Sequence, residues 1–165
     1  MILRVRAGAA RALAMGLVAA ALLGCATPPP TATDGRAWAG RLALSVDDER
    51  HTALSAGFDL RGDPRAGELT LLSPVGLTLA RLSWAPGEAV LHAGGEARRF
   101  DSLQALAIAA TGTELPLAAL FDWLDGRPTP VPGWEVDLSG LPQGRLLAMR
   151  ASPPPAARLR LVLER

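Results

Sequence analysis

Apolar and polar residues alternate in two stretches of the chain, Trp38–Val46 and Thr52–Arg61. Every second side chain of a β-strand faces the same side, so this alternation predicts two strands that are each buried on one face. The polar residues between them form a turn, which makes the two strands neighbours in an antiparallel sheet. The residues on the apolar faces are Leu42, Leu44, Val46, Leu54, Ala56, Phe58 and Leu60.

A hairpin is predicted in the stretch Leu69–Trp84. Two β-type runs flank Ser73-Pro74-Val75-Gly76, and this tetrapeptide fits a type I turn with Val75 at its tip. Turn tips are normally polar because they lie in water. The apolar tip therefore has two interpretations. Either the turn folds back onto the core, or it is an exposed apolar probe that touches a membrane or an apolar partner.

Five more short runs are typical of β-strands, and turn residues such as Pro86-Gly87 and Gly94-Gly95 separate them. With the hairpin they predict an antiparallel meander, which is followed by three further strands after a helical insertion. The five runs are Ala89–Ala93, Glu96–Phe100, Trp134–Leu138, Arg145–Ala151 and Arg158–Glu164.

The period of the apolar residues changes after Phe100 and predicts two short helices. Asp101 is the expected N-cap of the first helix, and Gly112 suits the position after its end. The second helix is expected from Pro116, in its first turn, to Asp125, where Gly126 and Pro128 stop it. Its apolar stripe consists of Leu117, Leu120, Phe121 and Leu124, with Trp123 on the flank. Its carboxylates Asp122 and Asp125 fall on the polar face, where solvation explains them.

This order of elements predicts a mainly β fold with a short helical insertion. A curved antiparallel sheet of this size needs something to cover its concave face, and the two helices can supply that cover. The strand faces and helix stripes together hold far more apolar side chains than one polar site would need.

The first residues read as a bacterial lipoprotein signal. A positive segment with three arginines precedes an apolar run, Leu13–Leu23, that is short for a membrane span. The run ends in Leu22-Leu23-Gly24-Cys25, which resembles the lipobox, so Cys25 is the expected lipidation site. The predicted parts are a signal peptide at 1–24, a lipidated Pro/Thr-rich linker at 25–37 and one domain at 38–165. By resemblance to bacterial sorting rules, Ala26 suggests delivery to the outer membrane.

Charge and motifs exclude several classes of function. Cleavage of the signal removes three of the 17 arginines and no acid, and leaves 14 basic and 16 acidic residues. This balance argues against nucleic-acid binding, which requires a clustered basic face. The histidines, His51 and His92, have no neighbours at metal-ligand spacing. No nucleophile elbow or phosphate loop is present, so the sequence predicts a protein that is not an enzyme and has no metal and no cofactor.

Four features resemble LolB, the family of outer-membrane lipoprotein receptors that ends the bacterial lipoprotein-sorting route. They cover most of the chain after the signal. They are the lipobox at Cys25, the pattern Trp38-x-x-Arg41-Leu42, the hairpin Leu71–Gly76 followed by Leu79-Ala80-Arg81-Leu82, and Thr111-Gly112…Leu115-Pro116…Trp123…Gly126-x-Pro128.

The resemblance implies a half-barrel of antiparallel strands with helices over its open side. It also implies an apolar cavity that accepts the acyl chains of lipoprotein cargo from the soluble periplasmic carrier LolA. The hairpin residues Pro74, Val75 and Gly76 would then meet outer-membrane lipid. We expect a monomer that is lipid-anchored at the periplasmic face of the outer membrane. The expected cavity wall consists of Leu42, Leu44, Phe58, Leu60, Leu69, Leu71, Leu82 and Trp84 from the sheet, and Leu106, Leu120 and Leu124 under the helices.

Three hypotheses stay open at this point. The first is the receptor that accepts and inserts lipoproteins. The second is a non-catalytic structural lipoprotein that scaffolds an outer-membrane assembly and has a solid core. The third is a lipid-processing enzyme, which would need a nucleophile with a basic partner.

Overall fold

A computed structural model of the chain describes residues 36–48, 53–111 and 114–164. The described part contains nine β-strands, two α-helices and one short 3₁₀ helix, Leu141–Gln143. The strands are β1 (Ala37–Asp47), β2 (Ala53–Gly62), β3 (Gly67–Leu72), β4 (Thr78–Ala85), β5 (Glu88–Ala93), β6 (Glu96–Phe100), β7 (Trp134–Asp137), β8 (Arg145–Arg150) and β9 (Ala156–Leu163).

The nine strands form one open antiparallel sheet in the order β6-β5-β4-β3-β2-β1-β9-β8-β7. The first six strands pair as sequence neighbours, as the alternating pattern and the short turns predict. β9 departs from this order of sequence neighbours, because it lies between β1 and β8 and pairs with both. The predicted strands are confirmed to within two residues, and so is the mainly β fold with a short helical insertion.

The first helix, α1, covers Leu103–Thr111 and begins one residue later than expected. Its N-cap is Ser102, whose hydroxyl accepts a hydrogen bond of 3.1 Å from the N–H of Ala105. The carbonyl of Ser102 also accepts the N–H of Leu106 at 3.1 Å. The expectation that Asp101 caps this helix is therefore wrong, because the serine hydroxyl next to it is an equally good acceptor at the position that fits. Gly112 lies outside the described residues.

The second helix, α2, covers Leu117–Leu124 and follows directly on Pro116. At its other end, Gly126 has a φ of +79°, and its N–H bonds to the carbonyl of Trp123 at 2.9 Å. The sequence placed Trp123 on the flank of the helix, but its side chain is only 1% exposed. The loop after α2 folds against it, and its indole N–H donates to the carbonyl of Thr129 at 2.9 Å.

One hydrophobic cluster joins the inward face of the sheet to both helices. Phe121 of α2 makes edge-to-face contacts with two tryptophans, at 5.7 Å between ring centroids for Trp38 and 6.3 Å for Trp84. Such ring pairs stabilise a fold beyond the area that they bury. The buried cation Arg150 lies over the ring of Trp134 and donates to the carbonyl of Pro155 at 2.8 Å.

The indole ring of Trp84 packs over Gly67, its partner on β3, and this is possible because glycine has no side chain. A Cβ on Gly67 would lie 2.5 Å from the indole ring of Trp84 and 2.4 Å from the carbonyl oxygen of Arg61. The indole N–H of Trp84 donates to the carbonyl of Asp63 at 3.0 Å. Gly67 is therefore required for close packing and not for an unusual backbone angle.

Candidate functional site

A cavity of about 370 Å³ lies among the apolar side chains of the sheet and the helices. Residues of β1 to β6, of β9 and of both helices line it, and 24 of the 26 lining residues are apolar. The two exceptions are Arg98 on β6 and Thr111 on α1. The hydroxyl of Thr111 donates to the carbonyl of Ala107 at 2.8 Å, so it does not present an unused donor to the cavity.

Strand register explains the apolar wall. Leu60, Leu69, Leu82 and Leu91 are paired in turn across β2, β3, β4 and β5, so their side chains form one row on the same face. A second row runs parallel to it and contains Phe58, Leu71, Ala80 and Ala93.

Small side chains leave the space between these walls unfilled. Ala80 and Ala93 stand on the sheet, and Ala107, Ala109 and Ala110 line the cavity from α1. A leucine at any of these positions would extend into the opening.

All eleven residues that the sequence predicted for a cavity wall line this one cavity. That they hold acyl chains stays a prediction. Sequence reasoning missed the contribution of Leu159 and Leu161, because they reach the site through the pairing of β9 with β1. It also did not assign Phe121 to the cavity wall, although it placed this residue on the apolar stripe of the second helix. Arg98, a charged residue, was not predicted to line the cavity either.

The predicted hairpin between β3 and β4 is present, and its apolar tip is exposed. The side chains of Val75, Leu77 and Leu79 are 80%, 67% and 45% exposed. The N–H of Gly76 bonds to the carbonyl of Ser73 at 2.9 Å, and the N–H of Ser73 bonds to the carbonyl of Leu77 at 2.8 Å. The interpretation in which this turn folds back onto the core is therefore wrong, and the tip is exposed, as the other interpretation requires. Contact of Pro74, Val75 and Gly76 with a membrane stays a prediction.

The carboxylates of α2 are bound rather than merely solvated. Asp122 accepts hydrogen bonds from the guanidinium of Arg127 and from the hydroxyl of Thr129, the latter at 2.7 Å. These bonds hold the pKa of the Asp122 carboxyl below its ordinary value. Asp125 pairs with Arg127 at 2.9 Å and also with Arg36. The expectation that solvation explains both carboxylates is therefore wrong, because they fasten the loop after α2 and the start of β1 to the helix.

Other chemistry in the described ranges is sparse. No three His, Cys, Asp or Glu side chains converge as metal ligands in residues 36–48, 53–111 and 114–164. His92 is an exposed residue of β5, and His51 lies outside the described residues, as do Cys25 and the predicted signal peptide. Within these same ranges, no helix has the length and hydropathy that a membrane crossing requires.

Comparison with known proteins identifies one family. The family model described as "Outer membrane lipoprotein LolB" matches residues 36–153. The outer-membrane lipoprotein LolB of Bordetella petrii is 38% identical over 122 residues, which are 70% of this chain and 61% of that protein. The LolB of Shewanella baltica (strain OS155) is 36% identical over 121 residues, which are 66% of this chain and 55% of that protein. The chain spans about three fifths of the length of the first curated relatives that it matches.

Proposed function

This chain belongs to the family of the outer membrane lipoprotein LolB, and on that premise we propose that it is an outer-membrane receptor for lipoproteins. In this proposal it accepts lipoprotein cargo from a LolA-like periplasmic carrier, holds the acyl chains of the cargo in the cavity described above, and inserts them into the outer membrane. It acts without catalysis and without a cofactor.

The observation that carries the proposal is the apolar cavity. Exposing an acyl chain of about 16 carbons to water costs on the order of 12 kcal/mol, at about 0.8 kcal/mol per CH₂. A cavity of about 370 Å³ with 24 apolar lining residues removes that penalty for the part of the chain that it encloses. Its volume falls within the range of about 300–1,000 Å³ that is usual for ligand sites. Transfer from one such cavity to another is nearly balanced and needs no nucleotide.

We further propose that the sheet is a half-barrel and that α1 and α2 cover its concave face. Leu106 of α1 and Phe121 of α2 support this, because both are buried in the same cluster as the strand residues and both line the cavity. The arrangement would let the helices move apart when a chain enters, without unpairing any strand.

Membrane attachment and delivery use two other parts of the chain in this proposal. Residues 1–24 are the signal peptide, Cys25 is lipidated, and the linker 25–37 holds the domain, 38–165, at the periplasmic face of the outer membrane. The hairpin tip then enters the bilayer. Full burial of a Val or Leu side chain is worth about 1.5–3 kcal/mol. Scaled by the exposed fractions of Val75, Leu77 and Leu79, insertion of the tip is worth about 3–6 kcal/mol.

The test separates uptake of cargo from its delivery. A fluorescent acylated peptide is presented on the carrier, and its arrival on the receptor and then in outer-membrane vesicles is followed. Val75→Glu should accept the peptide as the wild type does but deliver it poorly, because a carboxylate at the tip opposes entry into the bilayer. The matched control is Val162→Glu, which makes the same change at another exposed valine, 44% exposed on β9.

Two results would contradict the proposal at different steps. Normal delivery by Val75→Glu would exclude the hairpin from insertion. Failure of the wild type to take up the peptide or a fluorescent fatty acid would exclude the receptor and favour a scaffolding lipoprotein. The presence of the cavity argues against the scaffolding lipoprotein, because that alternative requires a solid core.

A further inference from the structure

One charged side chain, that of Arg98, is among the 26 described residues that line the cavity. Arg98 lies on β6, the edge strand, and pairs with Leu91 of β5. Leu91 is the last member of the leucine row that runs across β2 to β5, so Arg98 continues this row by one strand. Alternation places an inward residue at this position, and the chain has arginine where the rest of the row has leucine.

The guanidinium of Arg98 has N–H donors that no carboxylate of the described residues accepts. Its neighbour Arg99 is on the opposite face of β6 and pairs with Glu88 at 3.3 Å. Two adjacent arginines of one strand therefore differ in their surroundings: Arg99 has an acidic partner, and Arg98 borders the cavity without one.

A cation at the exposed edge of an apolar cavity suits an amphipathic ligand. The methylene stem of arginine can lie along apolar surface while its head stays at the water boundary. Its five N–H donors form strong bonds to oxygen acceptors that are ionised, and somewhat weaker bonds to neutral carbonyls. An acyl chain that fills the cavity brings such an oxygen to the boundary, since its first carbon carries the ester, amide or carboxylate group.

We propose that Arg98 is a head-group residue that binds the carbonyl or carboxylate oxygens at the polar end of an acyl chain held in the cavity. The inference rests on the proposed function and deepens it, because it assigns the orientation of the ligand. The polar end lies at the β6 edge of the sheet, and the hydrocarbon extends toward the leucine row. A chain whose first carbon carries only a hydroxyl group gains much less from Arg98, because that oxygen is neutral and is not part of a carbonyl or carboxylate.

The experiment compares three ligands of equal chain length: laurate, methyl laurate and 1-dodecanol. The protein is the chain from residue 25 onward with Cys25→Ser, which keeps it unlipidated; it includes the whole compact unit Thr33–Arg165. Dissociation constants are measured from the change in tryptophan fluorescence, because Trp84 lines the cavity. The variants are Arg98→Leu, the charge-retaining Arg98→Lys and, as the matched control, Arg99→Leu.

Arg98→Leu should weaken laurate roughly tenfold, as expected for the loss of one charge-assisted hydrogen bond near the surface. It should weaken 1-dodecanol by much less than laurate, because a neutral hydroxyl forms the weaker bond, and Arg98→Lys should recover part of the laurate affinity. Arg99→Leu should change none of the three constants. If methyl laurate is weakened as well, Arg98 binds esterified acyl groups; if laurate alone is weakened, it binds free carboxylates.

Two outcomes would overturn the inference and can be told apart. If Arg98→Leu weakens laurate and 1-dodecanol equally, or weakens neither, Arg98 does not bind the polar end, and the receptor proposal stands. If the wild type binds none of the three ligands, the cavity does not hold acyl chains, and both proposals fail.

Discussion

Replacing Phe121 by alanine should loosen the packing of α2 on the sheet. The ring is 4% exposed and lies between two tryptophans, at 69° to the plane of Trp38 and 64° to the plane of Trp84. Phe121 thus brings α2 into contact with both β1 and β4. Loss of the ring removes both contacts at once.

The expected magnitude follows from burial and from the cavity. Truncation of a buried Phe to Ala costs about 3–5 kcal/mol in the free energy of unfolding. Phe121 also lines the cavity, so it has fewer packing partners than a side chain in a solid core, and we expect the lower end, about 3 kcal/mol. Phe121→Leu keeps most of the apolar volume and loses the two ring pairs. It should cost about 1–2 kcal/mol.

The assay is equilibrium unfolding in urea, followed by tryptophan fluorescence and by far-ultraviolet circular dichroism. Coincident transitions with an unchanged slope would show that stability alone has changed. The control is Ile108→Ala on α1, where the side chain is 40% exposed and the loss should be within about 0.5 kcal/mol. A loss of less than about 1 kcal/mol for Phe121→Ala would refute the idea that this ring holds α2 on the sheet.

Two further substitutions test other parts of the site. Gly67→Ala should destabilise the fold by about 1–3 kcal/mol and weaken fatty-acid binding, because its Cβ would displace Trp84 from the cavity wall. Gly57→Ala, where a Cβ would meet its nearest atom at 3.3 Å, should change urea stability by at most about 0.5 kcal/mol, and an equal loss for both variants would exclude the clash. Hydrogen bonds from Arg127 and a threonine lower the folded-state pKa of Asp122 below the unfolded value, so their contribution to stability is present above about pH 4 and is lost as the pH falls through the folded pKa. Melting temperatures of wild type and Asp122→Asn should therefore differ at pH 6 and converge at lower pH, whereas a constant difference would show that the charge of Asp122 is not the cause.

Local patterns were enough to predict the strands and 11 of the 26 residues that line the cavity. β1 and β2 are each buried on one face, so alternation identifies both their positions and their inward residues, as for Leu42 and Leu44 or for Phe58 and Leu60. The hairpin turn was also predictable from local chemistry, because Pro74 fixes its own φ and Gly76 permits a positive φ, which is +82° here.

The features that the sequence did not reveal depend on distant parts of the chain. Trp123 is buried because a later loop folds against it, and nothing in the helix period signals that loop. Leu159 and Leu161 join the cavity through a strand pairing that spans most of the domain. Arg98 belongs to a run of polar residues, and only the register of β6 against β5 shows that it faces the cavity while Arg99 does not.

The central position of β9 has a consequence for how the molecule is made. β9 pairs with β1 across a separation of more than one hundred residues, as in the pair of Asp47 with Ala156. Synthesis makes β1 first, and its second edge stays unpaired until the eight residues of β9 follow. Pairings of such long range close slowly because the loop entropy is lost before the contact forms. We therefore expect a newly made chain to carry an unpaired strand edge, which is prone to aggregate, until the last strand of the domain has been synthesised.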